Sequence, residues 1–382
     1  MNSASLKVKA TLLLVSSLTI MSMITISASL PDMTKAFADV SYNEELAKLS
    51  LSFPALFIAL TAMIIGPIID NFGRLKLLGI ALVLYALGGS SGYWLDNIYL
   101  LLAGRALLGI CVGISMTIVT TLVADYYQGQ ARQKFAGIQI AVMSIGGIVF
   151  VTLGGFLADI NWRVPFLLYL FSIIILPFTY LFLKEPNLNT DVHKTAVTEK
   201  SPKLIWLVFV NVMIMWILFF IIPVQIPFYL KQIGIEKNAL IGIAVASSTF
   251  FSAISAFSYS KLKDKLSFQQ VFAIGYFLMA LAYVSLALIP SFAMVMVGML
   301  LAGLGMGLLI PNANVWVMHL APVQIRGKEI GRLTTFWFMG QFLSPIILLP
   351  FLKIMTQAQL FYIVAILLAS LSAFFLFRKK KN

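Results

Sequence analysis

The sequence predicts an all-α membrane protein: twelve transmembrane helices in two pseudo-symmetric six-helix bundles. Three observations carry that expectation. The 382 residues are 60% hydrophobic and only 11% charged, with a mean hydropathy of +0.97. Soluble domains are about one quarter charged, so lipid is the solvent for most of this surface. Twelve apolar runs are each about 18 residues or longer, enough to cross a bilayer. Finally, a set of residues recurs at a constant offset of 194 positions.

The runs fall at 10–30, 49–69, 77–95, 98–122, 135–157, 163–183, 204–228, 239–259, 269–289, 292–316, 331–352 and 359–377. The first follows Lys7-Val8-Lys9; it is too long for a signal-peptide core and lacks a clear cleavage site, so it reads as span one. Between spans two and three lies the polar interruption from Gly66 to Lys76, a tight surface turn in which Gly73 suits a positive φ. Span five carries Gly146, Gly147, Gly154 and Gly155, small residues that permit close helix approach; Asp159, Trp162 and Arg163 after it read as anchors of the next turn. The stretch 184–203, with Pro186, Asn187, Asn189, Thr190 and Asp191, reads as an exposed linker. It divides the chain into an N-terminal bundle, 1–183, and a C-terminal bundle, 204–382. At the 194-residue offset, Asp70 falls on Asp264, Gly109 on Gly303, Gly113 on Gly307, Arg132 on Arg326, Gly137 on Gly331 and Gly146 on Gly340. A parallel repeat of this kind places a binding site between the halves, near the middle of the membrane.

The formal charge of +13 does not point to nucleic acid, because the bases sit at the ends of apolar runs and form no patch. Counted by alternate loops, twenty fall on the side that holds both termini, six on the other, and Arg105 lies within a span. The excess places both termini in the cytoplasm. One cysteine, Cys111, and two distant histidines, His193 and His319, offer neither a disulfide framework nor a metal site. No nucleophile and base stand together, so the reading is not an enzyme and has no cofactor.

Arg105, about seven residues from the outer end of span four, is the sharpest single signal. A guanidinium at that depth costs at least a few kcal/mol unless it faces a cavity or a partner; the alternative is snorkelling to the interface. Its repeat partner is Met299, so the fold itself does not require the charge. Asp32, at the outer end of span one, is the nearest acid for it, or else a hydrated acid at a helix end. Span one otherwise offers only hydroxyls, so a deep cation-binding acid is missing. Gln341 and Gln225 are intramembrane amides that need partners, either between helices or on a ligand. Trp216 is the candidate aromatic wall. Asn312 and Asn314 in span ten line the inner mouth of a cavity or cap the helix. Asp70, Gly73, Arg74, Lys76 and Asp125 form either a charge latch or an ordinary basic turn.

The pattern G-x-x-x-D-x-x-G-R-x-K at Gly66–Lys76 resembles the loop between spans two and three of the major facilitator superfamily, although the position after the acid, usually basic there, is Asn71. Arg105-x-x-x-Gly109 resembles the fourth-span motif, and Leu30-Pro31-Asp32-Met33 the end of span one in bacterial exporters. The fifth-span G-P-x-x-G-G keeps only Gly154-Gly155. The resemblance is to the bacterial twelve-span drug:proton antiporter group. It implies a monomeric multi-pass protein of the bacterial inner membrane that exports a small molecule, with the proton gradient as energy source and alternating access as mechanism. It also implies that Arg105 faces a central cavity, binding an anionic ligand group or tuning Asp32, and that Asp70, Arg74 and Asp125 latch the cytoplasmic side of the outward-facing state. Two alternatives stay open: an anionic or zwitterionic cargo such as a carboxylate siderophore, because the only deep charge is positive, and a non-transporting sensor on the same fold.

Overall fold

The computed structural model of the protein describes residues 5–185, 201–322 and 325–378, the side chains of Pro67, Asp70 and Asn71 excepted. Twelve helices in it are long and apolar enough to cross a membrane. Most outrun the apolar stretches that announced them: span five runs Gly129–Ile160 and span ten Phe292–Leu320. Backbone groups in or near lipid must bond internally, so the helix continues through the interface until a cap or turn satisfies its ends. Between spans two and three the effect is extreme. Asn43–Phe72 and Arg74–Trp94 leave Gly73 alone outside a helix, at φ +82°, so the turn expected from Gly66 to Lys76 is a one-residue hinge that favours glycine.

Spans one and seven are broken, each within the turn before a proline. Span one is helical over Leu6–Ile24 and Leu30–Ala36 with a 3₁₀ turn at Ser27–Ser29; Pro31 opposes helix at the carbonyl of Ser27. Span seven consists of Lys203–Phe219 and Ile221–Gln232, and Pro223 opposes the carbonyl of Phe219. The two breaks meet, the Ser27 hydroxyl donating to the Pro223 carbonyl across the halves.

The buried apolar residues form two large clusters. One is built from spans one to six, with Phe220, Val224 and Phe338 reaching in from the other half. The second is built from spans seven to twelve, with Ala28 and Val151 reaching in. The repeat is visible in the packing itself. A Cβ on Gly109 would lie 2.4 Å from the Pro54 carbonyl oxygen and 2.9 Å from Phe57 Cβ; on Gly303 it would lie 2.3 Å from Ser248 O and 2.9 Å from Phe251 Cβ, the residues 194 positions on. Span four seats on span two as span ten seats on span eight, at a separation that only glycine allows.

Contact between the halves is one-sided. Among the described residues, every hydrogen bond and ion pair joining them involves the 22–45 region, the end of span five, or residues 223–239 and 353, all toward the base-poor face. There Gly155 and Gly242 bring spans five and eight to near backbone contact, a Cβ on Gly155 falling 2.9 Å from Gly242 Cα. Toward the base-rich face a Cβ on Gly137 or Gly331 would meet nothing within 4 Å.

Candidate functional site

Arg105 is fully buried inside the N-terminal bundle, away from both lipid and any open surface. Its Nε donates to the Ser50 carbonyl and its Nη2 to the Ser22 carbonyl, both at 2.8 Å, so one side chain on span four holds spans one and two. The guanidinium lies 5.1 Å from the centre of the Tyr169 ring on span six. Carbonyl dipoles and the ring face solvate the cation, while Nη1 has no partner. No carboxylate pairs with it among the described residues.

Asp32 is not its counter-ion. The Asp32 carboxylate accepts from Asn238 Nδ2 at 2.8 Å and lies 3.7 Å from Lys231 Nζ and 3.8 Å from Lys35 Nζ. Lys231 and Asn238 belong to the other half, so Asp32 works across the divide where the sequence reading kept it within its own bundle. Asp159, expected to steady its own turn, also crosses: its carboxylate accepts from the backbone N–H of Asn238 at 2.6 Å and of Ala239 at 3.1 Å, capping the start of span eight. The turn is held instead by Arg163, whose Nη1 donates to the Leu95 carbonyl at 2.7 Å and whose Nη2 donates to Asp96 at 2.6 Å. Glu45 and Lys353 add a contact at 3.2 Å between spans two and eleven.

Lys48, which the sequence reading did not single out, is a second buried cation. It is buried one turn inside span two, 2.5 Å from Glu44 Oε1 and 4.6 Å from the ring centre of Phe228 in the other half. The Glu44–Lys48 spacing of four on one helix face was the signal available for it.

At the base-rich face Arg74 is buried and ion-paired with Asp125, joining spans three and four. Glu185, which the sequence did not single out, accepts from the backbone N–H of Arg74 at 2.7 Å and of Leu75 at 2.8 Å, and so caps span three. Lys76 is exposed, and the side chain of Asp70 lies outside the described residues. The described members of this group are all N-terminal-half residues. At the matching place in the other half, Phe268 and His319 stand where Arg74 and Asp125 do, and Phe268 stacks on Trp316 at 5.5 Å under Lys263. An aromatic stack replaces the ion pair.

Asn312 lines no cavity mouth. Fully buried, it donates to the Phe268 carbonyl at 2.9 Å and accepts from the Tyr259 hydroxyl at 3.3 Å, tying spans eight, nine and ten. Asn314 donates to Ile310 O on its own helix at 3.1 Å. Gln225 is fully buried with both amide atoms unpartnered, Gln341 is buried with Oε1 unpartnered, and Trp216 has an unpartnered indole N–H. Trp337, which the sequence reading missed, lies 5.8 Å from Trp216 with a free N–H of its own; standing four residues before Gln341 on one helix face, it could have been found from spacing alone.

Two broken helices meeting between paired six-helix bundles, closed at one face, define a membrane transporter, and the chain belongs to the Major Facilitator Superfamily, whose family profile matches residues 12–265 and 226–382. It is similar to the multi-drug resistance efflux pump PmrA of Streptococcus pneumoniae, 28% identical over 78% of this chain and 77% of that one. It is also similar to the bacillibactin exporter of Bacillus subtilis, 28% identical over 91% of this chain and 89% of the relative. Among solved structures, a D-xylose-proton symporter superposes with a TM-score of 0.78 at 18% identity, over 97% of this chain and 96% of that one.

Proposed function

We propose that the protein is a proton-coupled exporter of a small molecule, drug or metabolite, in the bacterial inner membrane, working as a monomer with both termini cytoplasmic. The halves 1–183 and 204–382, joined by the linker 184–203, rock about a site between them. The observation that carries this reading is the one-sided closure. With the base-rich face cytoplasmic, this is an inward-facing state, and Asp32, Asp159, Lys231, Asn238, Glu45 and Lys353 form the outer gate that breaks when the halves rock. Arg74, Asp125 and Glu185, already joined in this state, hold the inner ends of spans three and four together through the swing, and with Asp70 and Lys76 they form the inner latch of this reading.

Asp32 is the coupling acid in this reading. Neutralising its charge removes its attraction to Lys231 and Lys35 while a carboxyl oxygen still faces Asn238, which weakens the outer gate. Arg105 is a positioning residue that fixes spans one, two and four around the moving break in span one. Because it is sequestered, the argument for an anionic cargo loses its main support; export of drugs or metabolites by PmrA and the bacillibactin exporter supports the wider class.

The test is flux in proteoliposomes carrying an imposed pH gradient. Transport is expected to collapse with a protonophore and to be lost in Arg105→Ala while membrane expression persists. Undiminished flux in either condition would remove the proposal, and absence of flux for every substrate class would favour a sensor on this fold.

A further inference from the structure

The C-terminal half holds an uncharged polar cluster at the seam between spans seven and eleven. Trp216 lies 13 residues past Lys203 and Trp337 lies 11 past Arg326, so both are about 16–20 Å from the base-rich ends of their helices at 1.5 Å per residue, near the membrane middle. The seam is tight: a Cβ on Gly340 would fall 2.5 Å from the Met213 carbonyl and 2.8 Å from Trp216 Cβ, and Ser344 donates to Ile217 O at 2.7 Å. It also borders the divide. Phe338, next to Trp337, is buried in the N-terminal cluster, and Phe342 meets Phe53 of span two at 6.3 Å, one turn toward the closed face.

The two indoles are half-buried and tilted at 44°, their N–H groups buried without acceptors, and Gln341 Oε1 beside them is buried without a donor. A donor or acceptor left unpaired in this setting costs about 1–3 kcal/mol, and a molecule carrying a carbonyl beside an N–H would satisfy all three. The C-terminal half brings no charge to this depth: between Leu204 and Phe377 the ionisable acids and bases lie in loops or within the first two or last turns of helices, the deepest being Glu329 and Arg332 at the base-rich start of span eleven.

We infer that Trp216, Trp337 and Gln341 form a binding site for an uncharged planar lactam or aromatic amide. Its carbonyl accepts from the indole N–H groups at their ring edges, and its N–H donates to Gln341 Oε1. This deepens the export reading by naming a substrate class and rests on that reading only for the site's use; binding itself needs no gradient.

The experiment is therefore equilibrium dialysis of the full-length protein in nanodiscs, without a pH gradient, against four two-ring probes: carbostyril, a neutral lactam; coumarin, its lactone counterpart without the N–H; N-methylquinolinium, a cation; and quinaldate, an anion. Carbostyril is expected to bind at least about tenfold more tightly than either ion and roughly three- to tenfold more tightly than coumarin, one hydrogen bond being the difference. Trp337→Phe and Trp216→Phe keep an aromatic face and are each expected to weaken carbostyril roughly three- to tenfold. Gln341→Leu should erase the preference over coumarin while the thermal midpoint shows that the variants fold. No binding of carbostyril, a preference for either ion, or affinities unchanged in both Trp→Phe variants would overturn the assignment. A protein that binds carbostyril but shows no proton-driven flux would overturn the export reading and leave this site standing.

Discussion

Asp159→Asn tests the outer gate most directly, because that carboxylate bonds only to the opposite half. Its two oxygens accept from the backbone N–H of Asn238 at 2.6 Å and Ala239 at 3.1 Å at the start of span eight. Asparagine retains one acceptor oxygen and no charge. One charge-assisted hydrogen bond is worth about 1.5–3 kcal/mol, and the charge at the helix N-terminus about 0.3–1 kcal/mol. Asp159 is exposed, so solvent takes back part of this, leaving a loss of about 1.5 kcal/mol to closure. That is a shift of about tenfold toward separation of the halves at this face. Spin labels on cysteines at Ala38 and Gln232, exposed positions on opposite sides of the gate, would report the change as a new long-distance population in pulsed electron resonance. The native Cys111 is fully buried and is not expected to label. A distance distribution unchanged to within about threefold in population, the scatter expected of a single exposed contact, would refute the assignment of Asp159 to the gate.

Asp32→Asn removes the charge that faces Lys231 and Lys35 and keeps an oxygen for Asn238, and is expected to widen the same distance and to uncouple flux from an imposed proton gradient; an unchanged distance together with fully gradient-driven flux in the variant counts against Asp32 as coupling acid. Arg105→Lys keeps the charge but cannot reach the Ser50 and Ser22 carbonyls together, so a loss of about 2 kcal/mol is expected, seen as a lower thermal midpoint and reduced flux. Gly109→Ala and Gly303→Ala place a Cβ 2.4 and 2.3 Å from a carbonyl oxygen of the facing span. Each should lower stability by about 1–3 kcal/mol, and a drop in only one would show that the two packings are not equivalent.

Much of the architecture was open to reading before any coordinates, because the bilayer imposes a length and a polarity on every span. The apolar runs gave the helices, and the offset of 194 gave the repeat down to the neighbours of Gly109 and Gly303. The helix ends were less legible: a turn drawn from Gly66 to Lys76 shrank to Gly73, since polar residues near an interface stay helical while their backbone bonds continue. The candidate site was legible as residue types more than as partners. Arg105 stood out because a buried cation is rare, and Trp216 and Gln341 because lipid leaves such groups few partners.

Which groups meet is another matter. Asp32 was matched to the one deep cation visible in the sequence, but it faces Lys231 and Asn238, about 200 positions away, and Asp159 reaches span eight and not its own turn. Composition and spacing determine that this chain crosses the membrane twelve times as two twinned bundles, because hydrophobic length and internal periodicity are properties of one segment at a time. Which carboxylate closes which face is decided only when the bundles dock, since a charge pair depends on distance through space, and no local pattern records how two rigid halves lean together.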